Sequence, residues 1–177
     1  ELIPLKVEGV KSVTSLSVGF AHNCVVSSGI GYCWGQNGNG KLGTGLDQNE
    51  NSPAKVKNLT EIKQIVAGRT TSCAITSDGK AYCWGDNSSG ILGDGSKNSS
   101  LTPIIVKGLS SVKQIGIGSA HTCALVTNGK VYCWGSNSNY QLGSNSITES
   151  LTPVEIQGIP SASSIAVGSG HSCILST

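Results

Sequence analysis

The sequence predicts an all-β fold: a β-propeller built from four-stranded antiparallel blades. The chain repeats itself, and Trp34, Trp84 and Trp134 mark the period because they are 50 residues apart. Each repeat contains short segments rich in Val, Ile and Tyr that are separated by turn residues, which is typical of β-strands. No segment has the periodicity of a helix. At this period, the 177 residues make about three and a half blades.

The repeats predict a single repeat domain over 1–177, with units at about 2–50, 51–100 and 101–150 and a partial unit at 151–177. The four strands predicted for the third unit lie at 101–109, 111–119, 121–127 and 130–136. A long polar connection follows them, and the earlier units have matching connections. Four short strands followed by a longer crossing loop is the pattern of one propeller blade.

Composition indicates a soluble, turn-rich repeat protein rather than an enzyme domain. The chain is 37% hydrophobic and 12% charged, with 24 glycines and a net charge of +2. Its lysines are dispersed and Arg69 is its sole arginine, so we expect no nucleic-acid partner. No apolar run approaches the roughly 20 residues that span a bilayer, so we expect no membrane insertion. Glu1 begins without a leader, so we expect a chain that is mature or cut from something longer.

The cysteines fall at fixed places in the repeat, and the hairpin register predicts which of them face each other. In the third unit, a three-residue turn at 127–129 with a positive φ at its glycine places Cys123 opposite Cys133. The first unit is one residue shorter. There a two-residue turn at 28–29 again places the two cysteines opposite each other, so the change of turn length preserves the pairing.

Each cysteine pair is predicted at a non-hydrogen-bonded site, where Cα atoms approach to about 4.5 Å, so a disulfide is feasible. Reduced packing thiols are an alternative, while zinc suits this spacing poorly because the C-x2-C arrangement is missing and the histidine series is broken at Thr71. Disulfides would indicate an extracellular, cell-surface or periplasmic protein, and reduced thiols a cytoplasmic one. The expected disulfides are Cys24–Cys33, Cys73–Cys83 and Cys123–Cys133, which leave Cys173 unpaired.

A family resemblance follows from the stretches "CWGQNGNGKLGTG" at 33–45, "CWGDNSSGILGDG" at 83–95 and "CWGSNSNYQLGSN" at 133–145. They resemble the W-G-x-N-x-x-G-x-L-G signature of the regulator of chromosome condensation repeats, and the cysteines resemble secreted, often bacterial, versions. The resemblance implies a β-propeller, usually of seven blades, and no particular activity. Its signature residues, implied to be mostly structural, are Trp34, Gly35, Asn37, Leu42, Gly43, Trp84, Gly85, Asn87, Leu92, Gly93, Trp134, Gly135, Asn137, Leu142 and Gly143.

The recurring polar and aromatic residues are expected to be structural. We expect the tryptophans to pack between blades rather than form a carbohydrate platform, and the signature asparagines to bond nearby backbone. The histidines travel with no nucleophile or acid, so a structural hydrogen bond is preferred to catalysis. Asp86 and Asp94 have no carboxylate counterpart in the other units, which argues against calcium. We therefore predict no catalytic, cofactor-binding or metal-binding residue.

The candidate contacts with a protein partner are Arg69, which replaces Phe20, Ser119 and Ser169 of the other units, and Tyr140. The leading hypothesis is a non-enzymatic protein-binding scaffold that uses the variable loops 36–50, 86–100 and 136–150 as inter-blade loops. The alternatives are a regulator or inhibitor of a GTPase or another enzyme, and a lectin-like or surface adhesion module. The partner's identity does not follow from the sequence.

Closure of the ring is the remaining expectation. About three and a half blades form an open arc, and each blade needs a neighbour on both faces. We expect either a fragment of a longer propeller or an association of two or more copies that covers the exposed ends. Two copies related by a two-fold axis along the ring would give an even number of blades.

Overall fold

The computed structural model describes residues 3–145 and 147–176; the predicted start of the first unit at Leu2, Ser146 in the third loop and Thr177 lie outside the described residues. Gly38–Gly40 forms a short 3-10 turn. The strands are β1 Val13–Val18, β2 His22–Ser27, β3 Ile30–Gly35, β4 Glu50–Lys55, β5 Ile62–Ala67, β6 Thr71–Thr76, β7 Ala81–Gly85, β8 Ser100–Ile105, β9 Val112–Ile117, β10 His121–Val126, β11 Val131–Ser136, β12 Glu149–Glu155, β13 Ala162–Val167 and β14 Ser172–Ser176.

The strands form the predicted antiparallel blades. Strands β1–β4 make the first blade, β5–β8 the second and β9–β12 the third, and β13 pairs with β14 in a two-stranded sheet. Strand order within each blade follows the chain: short turns join the first three antiparallel strands, and a longer loop joins the third strand to the fourth. The fold is therefore an all-β partial propeller of about three and a half blades.

The grouping of strands into blades differs from the sequence units. The proline-bearing strand that opens each unit, such as β8 with Pro103, is the last strand of the preceding blade and pairs with β7. The prediction that the four strands of one unit form one blade is wrong in this respect. Propensity and turn residues mark where strands lie, but pairing is a long-range contact that they do not encode.

The first strands of the blades lie next to one another around the propeller axis: β1 contacts β5, β5 contacts β9, and β9 contacts β13. Side chains of one inner strand form hydrogen bonds with backbone groups of the next. The Ala67 amide donates to the Ser17 hydroxyl over 3.0 Å, and the Gln114 amide group donates to the Ile165 carbonyl over 2.8 Å and accepts from the Ile165 amide over 3.0 Å. These bonds satisfy backbone groups at the inner edge of each sheet.

The apolar core lies between the blades rather than inside any one of them. One cluster joins Val26 and Val56 of the first blade and its exit to Ile65 of the second, and two similar clusters follow. Ile65 is 1% exposed because the preceding blade covers it, whereas Leu16, its counterpart in the first blade, is 66% exposed. Burial in this fold therefore depends on having a neighbouring blade.

The signature tryptophans differ in burial for the same reason. Trp84 and Trp134 are fully buried, and their indole Nε1 atoms donate to the carbonyl oxygens of Lys41, over 3.0 Å, and Ile91, over 2.8 Å. Both acceptors belong to the loop of the preceding blade. Trp34 in the first blade is only partly buried.

We predict that Trp134→Phe destabilises the protein by about 1–3 kcal/mol, because it removes a buried hydrogen bond and leaves a void between two blades. Trp34→Phe is the matched control, with an expected cost below about 1 kcal/mol, since its ring lacks a covering blade. Urea unfolding followed by circular dichroism measures both variants. Equal destabilisation would contradict the assignment of this energy to inter-blade packing.

Candidate protein-binding face

One edge of the propeller gathers the inner turns and the long loops. In the first blade His22 opens β2 and pairs with Gly35, which ends β3. The β1–β2 turn and the loop that leaves β3 therefore lie at the same end of the blade, and the other blades repeat this arrangement. We call this edge the loop face; it comprises the turns 19–21, 68–70, 118–120 and 168–170, the loops 36–50 and 86–100, and the described residues of the loop 136–150.

The three long loops join the third and fourth strands of one blade, so the term "inter-blade loops" describes their connection wrongly. The links between blades are the short segments 56–61, 106–111 and 156–161. The loops nevertheless contact the next blade, because the Gly45 amide donates to the Leu101 carbonyl over 2.9 Å, and Gly95 bonds Leu151 likewise. Each loop therefore connects two strands of its own blade and also packs against the next blade.

A buried asparagine sets the conformation of each loop. The Asn37 side-chain amide donates to the carbonyls of Leu46 and Gln48, over 2.8 and 2.9 Å, and its oxygen accepts from the Leu42 amide over 2.8 Å. Asn87 and Asn137 make equivalent bonds to their own loops. One side chain thus satisfies several backbone groups that an irregular loop would otherwise leave unpaired.

Tyr140 lies on the loop face and is 67% exposed. Its φ of 59° is left-handed, and glycine occupies the equivalent positions in the first two loops, Gly40 and Gly90. A Cβ at Gly40 would lie 2.6 Å from the Leu101 Cα, so the glycine permits close contact with the next blade. Tyrosine here costs backbone strain of about 1–2 kcal/mol and projects a large ring from the loop.

Arg69 lies at the other end of the loop face, where the inner turns surround the mouth of the propeller axis. It lines an open cavity of about 460 Å³ together with residues of the turns near Gly19, Gly118 and Gly168. Tyr140 lines a separate cavity with His171. The two predicted contact residues therefore share a face but form no common site.

The histidines join successive blades. The Ser72 hydroxyl donates to the Lys41 carbonyl over 2.8 Å, so His22 Nε2 carries a proton and donates to Ser72 over 2.8 Å. His121 bonds Ser172 over 2.9 Å in the same way. The Nδ1 atoms of both histidines are buried and have no hydrogen-bond partner among the described residues.

Burial, with a smaller contribution from the Lys41 ammonium, lowers the pKa of His22 to about 4. Burial, with a smaller contribution from His171, lowers the pKa of His121 to about 4. Both histidines are therefore neutral inter-blade links at pH 7. A general base or metal ligand needs an accessible ring nitrogen, which these residues do not offer.

The cysteine pairs lie in the predicted register. Cys24 faces Cys33, Cys73 faces Cys83 and Cys123 faces Cys133, and each pair is a disulfide. Within residues 3–145 and 147–176, Cys173 is the free cysteine and is exposed. The six bridged cysteines are buried and belong to the apolar clusters between blades.

Other classes of site find little support. Trp84 and Trp134 are inaccessible, which excludes a carbohydrate platform on them. The Asp86 carboxylate, which could have served as a calcium ligand, accepts hydrogen bonds from the Ser88 amide and hydroxyl and from the Asn39 side-chain amide. The described part of the chain contains no group of three potential metal ligands. No described helix has the length and apolarity needed to cross a membrane.

Comparison with protein families decides the identity of the repeat. A model described as "Regulator of chromosome condensation (RCC1) repeat" matches residues 28–75, 78–125 and 128–175. The chain belongs to the RCC1 repeat family. A second model with the same description matches 62–91 and 112–141. A search of curated protein sequences found no match to this RCC1-repeat chain.

Solved structures show the same fold. Yeast RCC1 (Prp20) bound to Kap60 has a TM-score of 0.86 at 22% identity, with 98% of this chain and 44% of that chain covered. Human WBSCR16 has a TM-score of 0.87 at 20% identity, with 98% and 48% covered. Prp20p from Saccharomyces cerevisiae, a protein described with its binding properties to Gsp1p and histones, has a TM-score of 0.79 at 20% identity, with 93% and 43% covered. This chain spans less than half the length of these proteins.

Sequence reasoning missed part of the loop face. It identified Arg69 but did not place it against Phe20, whose ring centroid lies 5.6 Å from the guanidinium carbon. The available signal was the repeat alignment: both residues occupy the same repeat position in successive blades, so their turns are neighbours at the mouth. The hydrogen bond between Ser119 and Ser169 was detectable in the same way.

We predict that stability falls between about pH 6.5 and pH 4 because the unfolded chain binds protons that the folded histidines reject. A folded pKa below the unfolded value gives stability that is present above about pH 6.5 and lost as pH falls through about 4. The loss is on the order of 3 kcal/mol per histidine at most.

His121→Thr reproduces Thr71, the second blade's residue at this position, and should reduce the loss of stability between pH 7 and pH 4.5; the double variant with His22→Thr should reduce it further. Urea unfolding at the two pH values measures this. An unchanged pH dependence in the double variant would assign the acid sensitivity to other groups.

Proposed function

We propose that this chain is a non-enzymatic protein-binding scaffold whose partner docks on the loop face. The observation that supports this is the contrast between a constant framework and variable exposed positions. Asn37, Asn87 and Asn137 hold three loops alike, while one loop position changes from Gly40 and Gly90 to an exposed Tyr140. Binding proteins commonly place diversity in loops on a rigid framework.

A second candidate function is regulation of a GTPase or another enzyme. It is compatible with the structural likeness to yeast RCC1, which is bound to Kap60 in one structure and is described with Gsp1p and histones in another. At 22% and 20% identity these likenesses support the fold alone. A regulator would form a stoichiometric complex that changes the partner's reaction rate, and a passive scaffold would leave that rate unchanged.

We also propose an extracellular, cell-surface or periplasmic location. The three disulfides are compatible with an oxidising compartment. Persistence of these disulfides in material isolated from the source organism would support this location, and isolation of the reduced form would count against it.

We predict that the triple variant Leu46→Ser, Lys97→Ser, Tyr140→Gly reduces partner binding at least tenfold, because it removes exposed side chains from all three loops. Partners are first selected from a display library of the source organism's proteins and then measured by biolayer interferometry. The control Lys63→Ser, Lys113→Ser changes exposed residues at the opposite ends of the inner strands and should retain affinity. Loss of binding in the control alone would move the site to the opposite face.

We further propose that the bare face of the first blade is covered, either by blades of a longer propeller of which this chain is a part or by a second copy. Three apolar residues of β1 are 45%, 66% and 69% exposed: Val13, Leu16 and Val18. Their counterparts on β5 are buried because the first blade covers them: Ile62, Ile65 and Ala67. Such an apolar face favours association.

We predict a dimer by size-exclusion chromatography with light scattering, which Leu16→Ser, Val18→Ser converts to monomer. A well-folded wild-type monomer of 18.1 kDa at high concentration would refute this association.

A further inference from the structure

We propose that the mouth of the propeller axis binds the carboxylate of an acidic side chain from a protein partner, with Arg69 as the anchoring cation. This inference rests on the proposed protein-binding function and specifies the chemistry of one contact. The mouth is the open cavity of about 460 Å³ formed by the ends of the inner strands and the turns that follow them. Its four equivalent turn positions hold Phe20, Arg69, Ser119 and Ser169.

The Arg69 guanidinium is uncommitted. Across residues 3–145 and 147–176 it takes part in no ion pair. Its guanidinium carbon lies over the ring of the exposed Phe20, 5.6 Å from the ring centroid. Attraction to the face of an aromatic ring holds a guanidinium near that ring and leaves its N–H groups to donate to a ligand. Two parallel donors then suit a carboxylate, which accepts them in a bidentate pair.

The rest of the mouth complements such a ligand. The Ser119 and Ser169 hydroxyls lie 2.7 Å apart, so one donates to the other and one hydroxyl proton remains for an incoming acceptor. Val18, Ile117 and Val167 supply apolar walls that fit the methylene stem of a glutamate or an apolar neighbour. None of the described residues that line the mouth is acidic.

Charge favours a carboxylate over a phosphoryl group. Arg69 is the one basic residue among the described residues lining the mouth, so it balances a single negative charge. A phosphoryl dianion would leave one charge unbalanced beside apolar walls. Asp86 shares with Arg69 a neighbouring cavity of about 240 Å³ between the second and third blades. That carboxylate repels an anion there, so the ligand approaches from the axis.

The test is a titration of the intact, disulfide-bonded chain with the peptide Gly-Leu-Glu-Leu-Gly, followed by ¹H–¹⁵N NMR. Because Arg69 is the only arginine, its side chain gives a single Nε–H signal. We expect that signal and the Ser119 and Ser169 amides to shift with the Glu peptide. All peptides have an acetylated N-terminus and an amidated C-terminus, so that the central residue supplies the only charge. We expect little shift with the peptide in which Gln replaces Glu, and weaker binding of the peptide in which phosphoserine replaces Glu.

Matched variants separate the anchor from general charge. Arg69→Ser installs the residue of the third and fourth repeats and should weaken the Glu peptide about tenfold to a hundredfold, the range for a hydrogen bond to a charged group. Arg69→Lys keeps the charge without the fork and should retain part of the affinity. Lys55→Ser removes one charge from an exposed site on β4 and should have no effect.

Two results would overturn the proposal: no shift at the mouth up to millimolar Glu peptide, or equal or tighter binding of the phosphoserine peptide. Neither result depends on an identified partner. If a selected partner binds Arg69→Ser unchanged but loses affinity for the loop triple variant, the protein-binding function stands and the assignment of the mouth fails.

Discussion

The carbonyl groups of Lys41 and Ile91 are the points on which the arrangement of blades depends. Each lies in the loop of one blade and accepts from a tryptophan indole and a hydroxyl of the next, the hydroxyls being those of Ser72 and Thr122. A carbonyl oxygen has two lone pairs and can accept both bonds, provided that the loop places it between the two donors. The signature asparagine does this, since its oxygen fixes the backbone amide of the following residue, Leu42 or Leu92.

This chain of contacts explains why the signature residues recur as a set. The asparagine holds the loop, and the loop presents a carbonyl to the tryptophan of the next blade. Gly40 lets the loop approach Leu101 of that blade closely. Contacts between neighbouring blades therefore contribute strongly to the stability of the fold, as they do in other repeat proteins. The disulfides link the two strands of individual hairpins within this arrangement.

The same rigidity makes the loop face suitable for recognition. Loops that are fixed by buried asparagines lose little entropy when a partner binds, so exposed side chains on them can contribute fully. Buried neutral histidines, His22 and His121, extend the inter-blade network beneath this face. The asparagines of the framework are thus constant, while one loop position changes from Gly40 and Gly90, which allow close contact with the next blade, to the exposed Tyr140.

The sequence by itself determined the repeat, the strand segments and the pairing of cysteines. These depend on local turn length and on alternation along a hairpin, as the facing of Cys123 and Cys133 illustrates. Only the tertiary structure decided that the strand with Pro103 closes the preceding blade, that the long loop of one blade lies on the next, and that the Arg69 guanidinium lies over the Phe20 ring. These features are contacts between segments about 15 to 56 residues apart in sequence, whose geometry is set when successive sheets bury each other's apolar faces.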